Sequence, residues 1–453
     1  MDSRPSILEF ARRVFPLRRQ RSCIAALILL CLTSLAVSSV RAEPSPTSDP
    51  YGKTVKEIRL SGSGKTKQSI IFRELASKVG EPYTRENAEL DAERLDQLRI
   101  FSRIEIEQLI EDDQIILDIQ VQETSPILPI LSLDVSDENG FSIGPGFKAI
   151  NIKGEAIRLS GSTQFGGSTK IKTEFENPWF TGNHASYRFR LELLDRPNAF
   201  ENFDERTVDF ELELGSYIRN NGRIGTRLGV LSVGSDVDGV TLSPENRDTI
   251  PSLSFFLGYD SRNYWTNPTA GWWNEVEIVR RGGIWGNGDF WVMNFDVRRF
   301  QPLADRHTLA LFSLATLRSG QVGTEIPTYL NFHLGGTNTI RGWDLDASRG
   351  KNQFINTAEY RYTLLRRRPL GFKGLRFYAG LQLAAFADFG IAWDESSQFR
   401  AGNFIDGYGF GLRILIPFVD MIRFDFAFGE PGAGLGSNIG IEEKAVKQRN
   451  RIR

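Results

Sequence analysis

From Ile127 onward the chain alternates apolar and charged residues over long stretches, and this period of two fixes what it folds into. Tyr187, Phe189, Leu191 and Leu193 alternate with Arg188, Arg190 and Glu192. Val208, Phe210, Leu212 and Leu214 alternate with Asp209, Glu211 and Glu213, and Ile422, Phe424, Phe426 and Phe428 with Arg423 and Asp425. Side chains on a strand point to opposite faces in turn, so each stretch is a strand with one apolar face and one fully charged face. In a soluble sandwich the strands are short and the apolar faces cover each other. Here the stretches run to about 10–14 residues, enough for the roughly 9–11 that a strand needs to cross a bilayer. The pattern predicts a transmembrane barrel with lipid outside and a polar lumen.

Sixteen such stretches start near residues 127, 141, 155, 168, 184, 206, 222, 249, 271, 290, 306, 354, 375, 406, 421 and 437. The even count suits a single-chain antiparallel barrel. Glu138-Asn139-Gly140, Asn220-Asn221-Gly222 and Pro417-Phe418 supply turn chemistry. Trp179, Trp265, Trp272, Trp273, Trp285 and Trp291 fall near strand ends, where aromatic girdles belong. Residues 320–353 make the longest connection, too long for a plain hairpin.

Before the barrel, residues 51–124 follow another rhythm. Val55 to Leu60 reads as a strand. Gln68 to Val79 reads as a helix with Ile71, Leu75 and Val79 on one face, stopped by Gly80 and Pro82. Thr84 caps a second helix carrying Ala88, Ala92 and Leu95. Two further strands, with Ile104 and Ile106 in one and Ile115, Leu117, Ile119 and Val121 in the other, form a hairpin around Asp112-Asp113. The expected module is β-α-α-β-β, with exposed sheet edges. Gly64-Lys65-Thr66 lies between strand and helix, but Arg59 stands where a phosphate loop needs its first glycine, so a turn is the better account.

The start of the chain reads as targeting. Arg12, Arg13, Arg18, Arg19 and Arg21 precede the apolar run Ile24 to Val37, and Val40-Arg41-Ala42 offers a cleavage site, so residues 1–42 read as a secretory signal peptide. Residues 43–50 form a Pro/Ser linker. Cys23 and Cys31 both lie inside the signal, so the remainder carries no disulfide framework and no thiolate metal site. Loss of residues 1–42 leaves 48 basic against 54 acidic side chains, a balance that does not advertise nucleic acid. His184, His307 and His333 share no metal-ligand spacing, and no Gly-x-Ser-x-Gly element occurs. No cofactor and no metal are expected, and an enzyme barrel is disfavoured.

The most specific run is Leu334-Gly335-Gly336-Thr337-Asn338-Thr339-Ile340-Arg341-Gly342-Trp343 in the long connection. Burying a guanidinium is costly unless a carboxylate pairs with it. Glu359, with Thr357 and Arg361, lies on the polar face of the next strand. Asp388, with Gln382 and Arg376, lies on that of the following one. Spacing alone leaves two readings open: a solvated surface loop, or a loop folded into the barrel.

On these residues the chain resembles the BamA/TamA family of outer-membrane assembly and translocation barrels, the bacterial surface antigen family. Gly335-Gly336 followed by Arg341-Gly342-Trp343 is similar to the family's Arg-Gly-aromatic motif in the sixth extracellular loop. Phe386-x-Asp388-x-Gly390 is similar to the strand motif that receives this arginine. Asn177-Pro178-Trp179-Phe180, Tyr259-Asp260-Ser261-Arg262 and Gly407-x-Gly409-x-Gly411-x-Arg413 also match family patterns. Residues 51–124 resemble a POTRA domain, including Gly80-Glu81-Pro82-Tyr83 and Leu98-x-Ile100-Phe101-Ser102.

The resemblance implies a mainly β fold: a 16-stranded antiparallel barrel over residues 125–446, preceded by one POTRA-like domain. It implies a lumenal loop held by Asp388 and Glu359, and a role in inserting or translocating polypeptides at the outer membrane, with the POTRA-like domain in the periplasm. Implied partners are outer-membrane lipids, extended client polypeptides at the POTRA edge strand, and periplasmic or lipoprotein subunits. Two features depart from the family: a single POTRA domain, and a basic tail, residues 447–453, in place of an aromatic end. The rival reading keeps the fold as a passive pore or surface antigen without clients.

Overall fold

The computed structural model describes residues 49–98, 100–123, 125–180, 185–218, 221–263, 267–372, 375–415, 421–430 and 435–441. The expected signal peptide and most of the linker, both cysteines, His184, Asn220, Trp265, Pro417-Phe418 and the basic tail lie outside the described residues.

The small module holds β1 (Val55–Ser61), α1 (Gln68–Phe72), α2 (Arg85–Gln97), β2 (Phe101–Glu111) and β3 (Gln114–Glu123). The sheet order is β1-β3-β2, with β1 parallel and β2 antiparallel to β3. As the central strand, β3 buries residues on both faces, Ile115, Leu117, Ile119 and also Ile116.

α1 is shorter than the expected Gln68–Val79. Asp91 of α2 explains the stop: its Oδ1 accepts the Ala76 N–H at 2.5 Å and the Ser77 N–H at 3.1 Å. Those donors are then lost to a continuing helix. Leu75 still reaches the core, whereas Val79 is 61% exposed.

Sixteen strands form one antiparallel sheet. In chain order they are β4 (Ile127–Ser136), β5 (Gly140–Ile152), β6 (Ile157–Gly166), β7 (Thr169–Asn177), β8 (Ala185–Pro197), β9 (Asp204–Ile218), β10 (Gly222–Gly234), β11 (Arg247–Asp260), β12 (Gly271–Gly282), β13 (Asp289–Ala304) and β14 (His307–Arg318). The long connection follows, with its own short ladder of β15 (Phe332–Leu334) and β16 (Ser348–Gly350). The sheet resumes with β17 (Asn352–Phe372), β18 (Leu375–Trp393), β19 (Ile405–Leu415), β20 (Ile422–Phe428) and β21 (Gly436–Ile441). The end strands β4 and β21 come within 8 Å of each other, Cα to Cα, so the sheet curls round on itself. No ladder joins them among the described residues.

Outward positions such as Phe165, Phe255, Leu257, Ile278, Tyr408 and Phe410 are exposed, while the opposite face buries Arg188, Glu213, Arg227, Glu277, Glu359 and Arg413. Two of the tryptophans expected in a girdle turn the other way. Trp273 is buried under Arg262, 4.7 Å from guanidinium to ring centre. Trp179 stacks on Tyr217 at 5.4 Å, and Arg73 of the small module lies over its ring at 4.3 Å. Trp272, Trp285 and Trp291 are exposed.

The module's core is completed by the barrel. Ile150, near the end of β5, and Ala156, in the β5–β6 turn, join Ile70, Ile71, Leu95 and Ile119 in one cluster. Asn151 Nδ2 donates to Thr66 Oγ1 at 2.7 Å, and Lys67 N–H to the Gly154 carbonyl at 2.9 Å. A Cβ on Gly154 would lie 1.9 Å from the Lys65 carbonyl oxygen, so only glycine allows this approach.

Candidate functional site

The connection between β14 and β17 folds against the inner face of β17 to β20. Gly335, Gly336 and Gly342 all have positive φ, at 128°, 74° and 93°. The Gly336 N–H donates to the Trp343 carbonyl at 2.8 Å and the Gly335 N–H to Thr339 Oγ1 at 2.7 Å, which closes the tip into a compact turn. A Cβ on Gly335 would meet the Asp344 carbonyl at 1.8 Å. Ile340, fully buried, anchors the tip in a cluster with Leu334, Ala392 and Ile405.

Arg341 follows that anchor. Its Nε and Nη2 donate to the two oxygens of Asp388 at 2.7 and 2.8 Å. Its backbone N–H donates to the same carboxylate at 3.2 Å. Nη1 reaches Glu359 at 3.3 Å and Asp425 at 3.2 Å. The guanidinium lies 3.4 Å from the centre of the Phe386 ring. The planar fork of arginine matches a carboxylate with two parallel bonds and stacks on an aromatic face, which an ammonium does not.

The acids are themselves held. Thr357 Oγ1 donates to Asp388 at 2.8 Å. Arg361 Nε and Arg413 Nη2 donate to Glu359 at 2.8 and 2.7 Å, and Arg413 Nη1 to Asp425 at 2.5 Å. Arg341, Glu359, Asp388, Arg413 and Asp425 are each at most 3% exposed. A buried ionic cluster persists only when nearly every member is paired.

The glycine stripe on β19 now has a physical reason. A Cβ on Gly407 would lie 1.9 Å from the Arg341 carbonyl oxygen, one on Gly409 2.8 Å from the Phe386 ring, and one on Gly411 2.2 Å from Asp425. These inward positions stay empty so that loop, ring and acid fit against the wall. Gly390 does the same for Ile340, whose Cδ1 would be 3.0 Å from an added Cβ. Trp343 Nε1 donates to the Asp406 carbonyl at 2.6 Å.

Sequence reading singled out Gly335, Gly336, Arg341, Gly342, Trp343, Glu359, Phe386, Asp388 and Gly390, and all sit in this one assembly. It missed two residues. Asp425 showed only as one polar position in an alternating strand, although the register places it opposite Gly411. Asp137, in the β4–β5 turn, accepts the Thr337 N–H at 2.5 Å. The loop thus touches β18, β19 and β20 on one side of the seam and the end of β4 on the other.

The opposite wall carries a second network. Glu213 accepts from Arg188 at 2.7 Å and Arg227 at 2.6 Å, and Arg227 also donates to Glu277 at 2.5 Å. Arg227 lies over Phe256 at 3.9 Å. In the Tyr259-Asp260-Ser261-Arg262 turn, Arg262 folds back on Asp260 with two bonds of 3.1 Å.

A family model for the Omp85 superfamily domain matches residues 151–436, and the POTRA model, described as a surface antigen variable number repeat, matches residues 53–124. The chain is similar to the outer membrane protein assembly factor BamA of Nitratidesulfovibrio vulgaris, 22% identical over 397 residues, or 83% of this chain and 48% of that protein. It is similar to BamA of Neisseria meningitidis serogroup B, 23% identical over 428 residues, or 82% and 51%. The chain therefore spans about half the length of the curated relatives it matches. Among solved structures its fold is similar to BamA from Haemophilus ducreyi lacking POTRA domains 1–3, with TM-score 0.55 and 16% identity over 86% of this chain and 83% of that one. It is also similar to CdiB from Escherichia coli, with TM-score 0.54 and 12% identity over 93% and 96%.

Proposed function

The chain belongs to the Omp85 superfamily, and from that premise we propose that it is an outer-membrane barrel that assists insertion or translocation of other polypeptides, with its POTRA domain in the periplasm. The observation that carries the reading is the seam. β4 and β21 lie side by side with no ladder between them among the described residues, and the Arg341 loop, held by β18 and β20, reaches across to Asp137 of the β4–β5 turn. Every other strand boundary in the wall is a hydrogen-bonded ladder, so this boundary needs least disruption to part toward lipid.

The client would arrive extended and add as a strand to the POTRA sheet. One edge is partly covered. Glu81 and Tyr83 pair with Val55 and Lys53, and Thr54 forms a bridge with Pro82. β2, at the other edge, runs Phe101–Glu111 with no further neighbour among the described residues. β2 is therefore the receiving edge. The work is physical, strand exchange and membrane insertion, and uses no bond-breaking residue. Partners in this reading are outer-membrane lipids, extended clients and periplasmic or lipoprotein subunits.

A deletion strain profiled for its outer-membrane and secreted proteins tests this. Selective loss of a set of barrels or secreted chains is the expected result. An unchanged profile, with ion conductance by the purified protein, would instead fit a passive pore or surface antigen.

A further inference from the structure

The connection from β18 to β19, residues 394–404, folds back over the outer surface of the wall. Strand phase fixes which surface this is. On β17, Gln353 Nε2 donates to Thr316 at 3.4 Å, Ile355 packs against the cluster of Leu334 and Ile340, and Thr357 holds Asp388. These three face the lumen, so Phe354 faces outward. On β18, Phe386 and Asp388 meet Arg341 inside the barrel, so Phe389, Ile391 and Trp393 face outward. Two phenylalanines of the connection pack on that outer face. Phe399 lies 4.7 Å from Trp393, 5.4 Å from Phe404 and 6.3 Å from Phe354, ring centre to ring centre. Phe404 lies 6.2 Å from Phe389 and 6.4 Å from Phe354. On the same face Ile391 and Trp393 are buried, whereas Phe389 and Phe399 keep 46% exposure each.

Hydrogen bonds hold the connection in this shape. Glu395 and Gln398 form a capping box around the turn at residues 396–398. Gln398 Oε1 accepts the Asp394 and Glu395 N–H groups at 2.8 and 2.9 Å, and Asn403 Nδ2 donates to the Gln398 carbonyl at 2.8 Å. Asp394 Oδ1 accepts the Lys351 N–H at 2.8 Å, which ties the connection to the wall. The rings sit where the outer surface changes character. Phe410 and Tyr408, outward on β19, are exposed and apolar or aromatic. Asp406, the next outward position toward the cell exterior, is charged, exposed and opposite Phe389 in the ladder. A step from apolar to charged marks the boundary between acyl chains and headgroups, the level at which aromatic rings collect. Exposed rings continuous with a lipid-facing wall are a membrane-contact surface.

We propose that residues 394–404 are a lipid anchor in the outer leaflet, with Phe399 and Phe389 seated among acyl chains just below the headgroups. The proposal rests on the barrel spanning the membrane. The inner side of the same wall segment carries Ala392 and Ile405, on which Ile340 docks, so lipid grips from outside the stretch that holds the Arg341 loop from within. The test uses the unmodified chain, refolded into phosphatidylcholine vesicles that contain a phospholipid with a diazirine near the top of its acyl chain. Illumination attaches this lipid to neighbouring side chains, and mass spectrometry maps the adducts. A parallel sample is oxidised from the water side by hydroxyl radicals. The expected result is lipid adducts on Phe399 and Phe389 at yields comparable to Tyr408 and Phe410, with Phe399 oxidised no more than Phe410. Adducts on Tyr408 and Phe410 but none within residues 394–404, with Phe399 readily oxidised, would place the connection in external water and overturn the proposal. Protection of Phe399 from both reagents would assign the face to a second copy of the chain, and would also overturn it. Absence of lipid adducts from Tyr408 and Phe410 as well would instead break the membrane-spanning reading.

Discussion

Asp388 accepts both arms of the Arg341 guanidinium, at 2.7 and 2.8 Å, and also its backbone N–H at 3.2 Å, so one carboxylate fixes both the side chain and the chain path of the loop. Glu359 and Asp425 complete the cage from β17 and β20. Removing one partner of a desolvated pair costs roughly 3–5 kcal/mol, falling toward about 0–1 kcal/mol if water enters. Arg341→Ala is expected to lower the temperature at which the barrel loses its folded gel mobility, and to impair client assembly. Arg349→Ala, which breaks an exposed pair with Glu201 at 2.7 Å, should do neither. Arg341→Lys should rescue in part, because it keeps the charge and loses the fork. Asp388→Asn should cost less than Arg341→Ala, since two acids still face the arginine. Equal behaviour of Arg341→Ala and Arg349→Ala would remove the cage from the account.

The β19 glycines give a steric test of the same packing. Gly407→Val places carbon where the Arg341 carbonyl stands, 1.9 Å from the Cβ position. Overpacking of this kind costs about 1–3 kcal/mol. The variant should fold with its loop displaced, read as protease cleavage near Arg341 that the parent resists. Gly402→Val, with nothing within 4 Å of its Cβ, is the control and should cut like the parent.

Asp137 links the loop to β4 through the Thr337 N–H, at 2.5 Å. Asp137→Ala leaves that donor without its acceptor while the Arg341 cage is untouched. Barrel stability is expected to stay near the parent's, and hydrogen exchange at Thr337 and along β4 to rise. No change in exchange at β4 would mean that the loop does not brace the seam.

The joint between the POTRA domain and the barrel carries an acid-sensitive bond set. Burial pushes the Glu123 carboxyl up, but donation from the Thr66 hydroxyl, the Thr66 N–H and the Lys65 N–H outweighs this and holds it below the usual 4.5. A carboxyl with a depressed value in the folded state stabilises fully above its unfolded value. That contribution is lost as pH falls below 4.5 through the folded value. Protection of the Lys65 and Thr66 amides, measured against their intrinsic exchange rates at each pH, should fall in that window, and Glu123→Gln should show weakened protection already at neutral pH. Protection that stays constant through this window in the parent would contradict the assignment.

Much of this architecture was legible because lipid and lumen impose opposite demands on alternate residues. β4, β10, β12 and β18 start at residues 127, 222, 271 and 375, where the alternation itself begins. Four things were not legible. The end of α1 depends on Asp91, a long-range acceptor that local periodicity does not encode. The inward turn of Trp179 and Trp273 depends on Arg73 and Arg262, which meet them only in the fold. The spacing of Gly407, Gly409 and Gly411 matched a pattern, but its cause lies in a loop some 65 residues earlier in the chain and in Phe386 and Asp425. The extra length of β17 and β18 was also missed, because Arg366-Arg367-Arg368 and Pro369 interrupt the alternation.

In the proposed function the boundary between β4 and β21 parts to admit a client strand. Purified protein in vesicles, given an unfolded outer-membrane barrel as client, measures this as the rate at which heat-modifiable client accumulates. Cysteine pairs placed along β4 and β21 then lock the boundary by disulfide. The account predicts faster client folding than in empty vesicles, loss of that acceleration in the oxidised lock, and recovery on reduction. Undiminished acceleration with the disulfide formed, or no acceleration over empty vesicles, would contradict it.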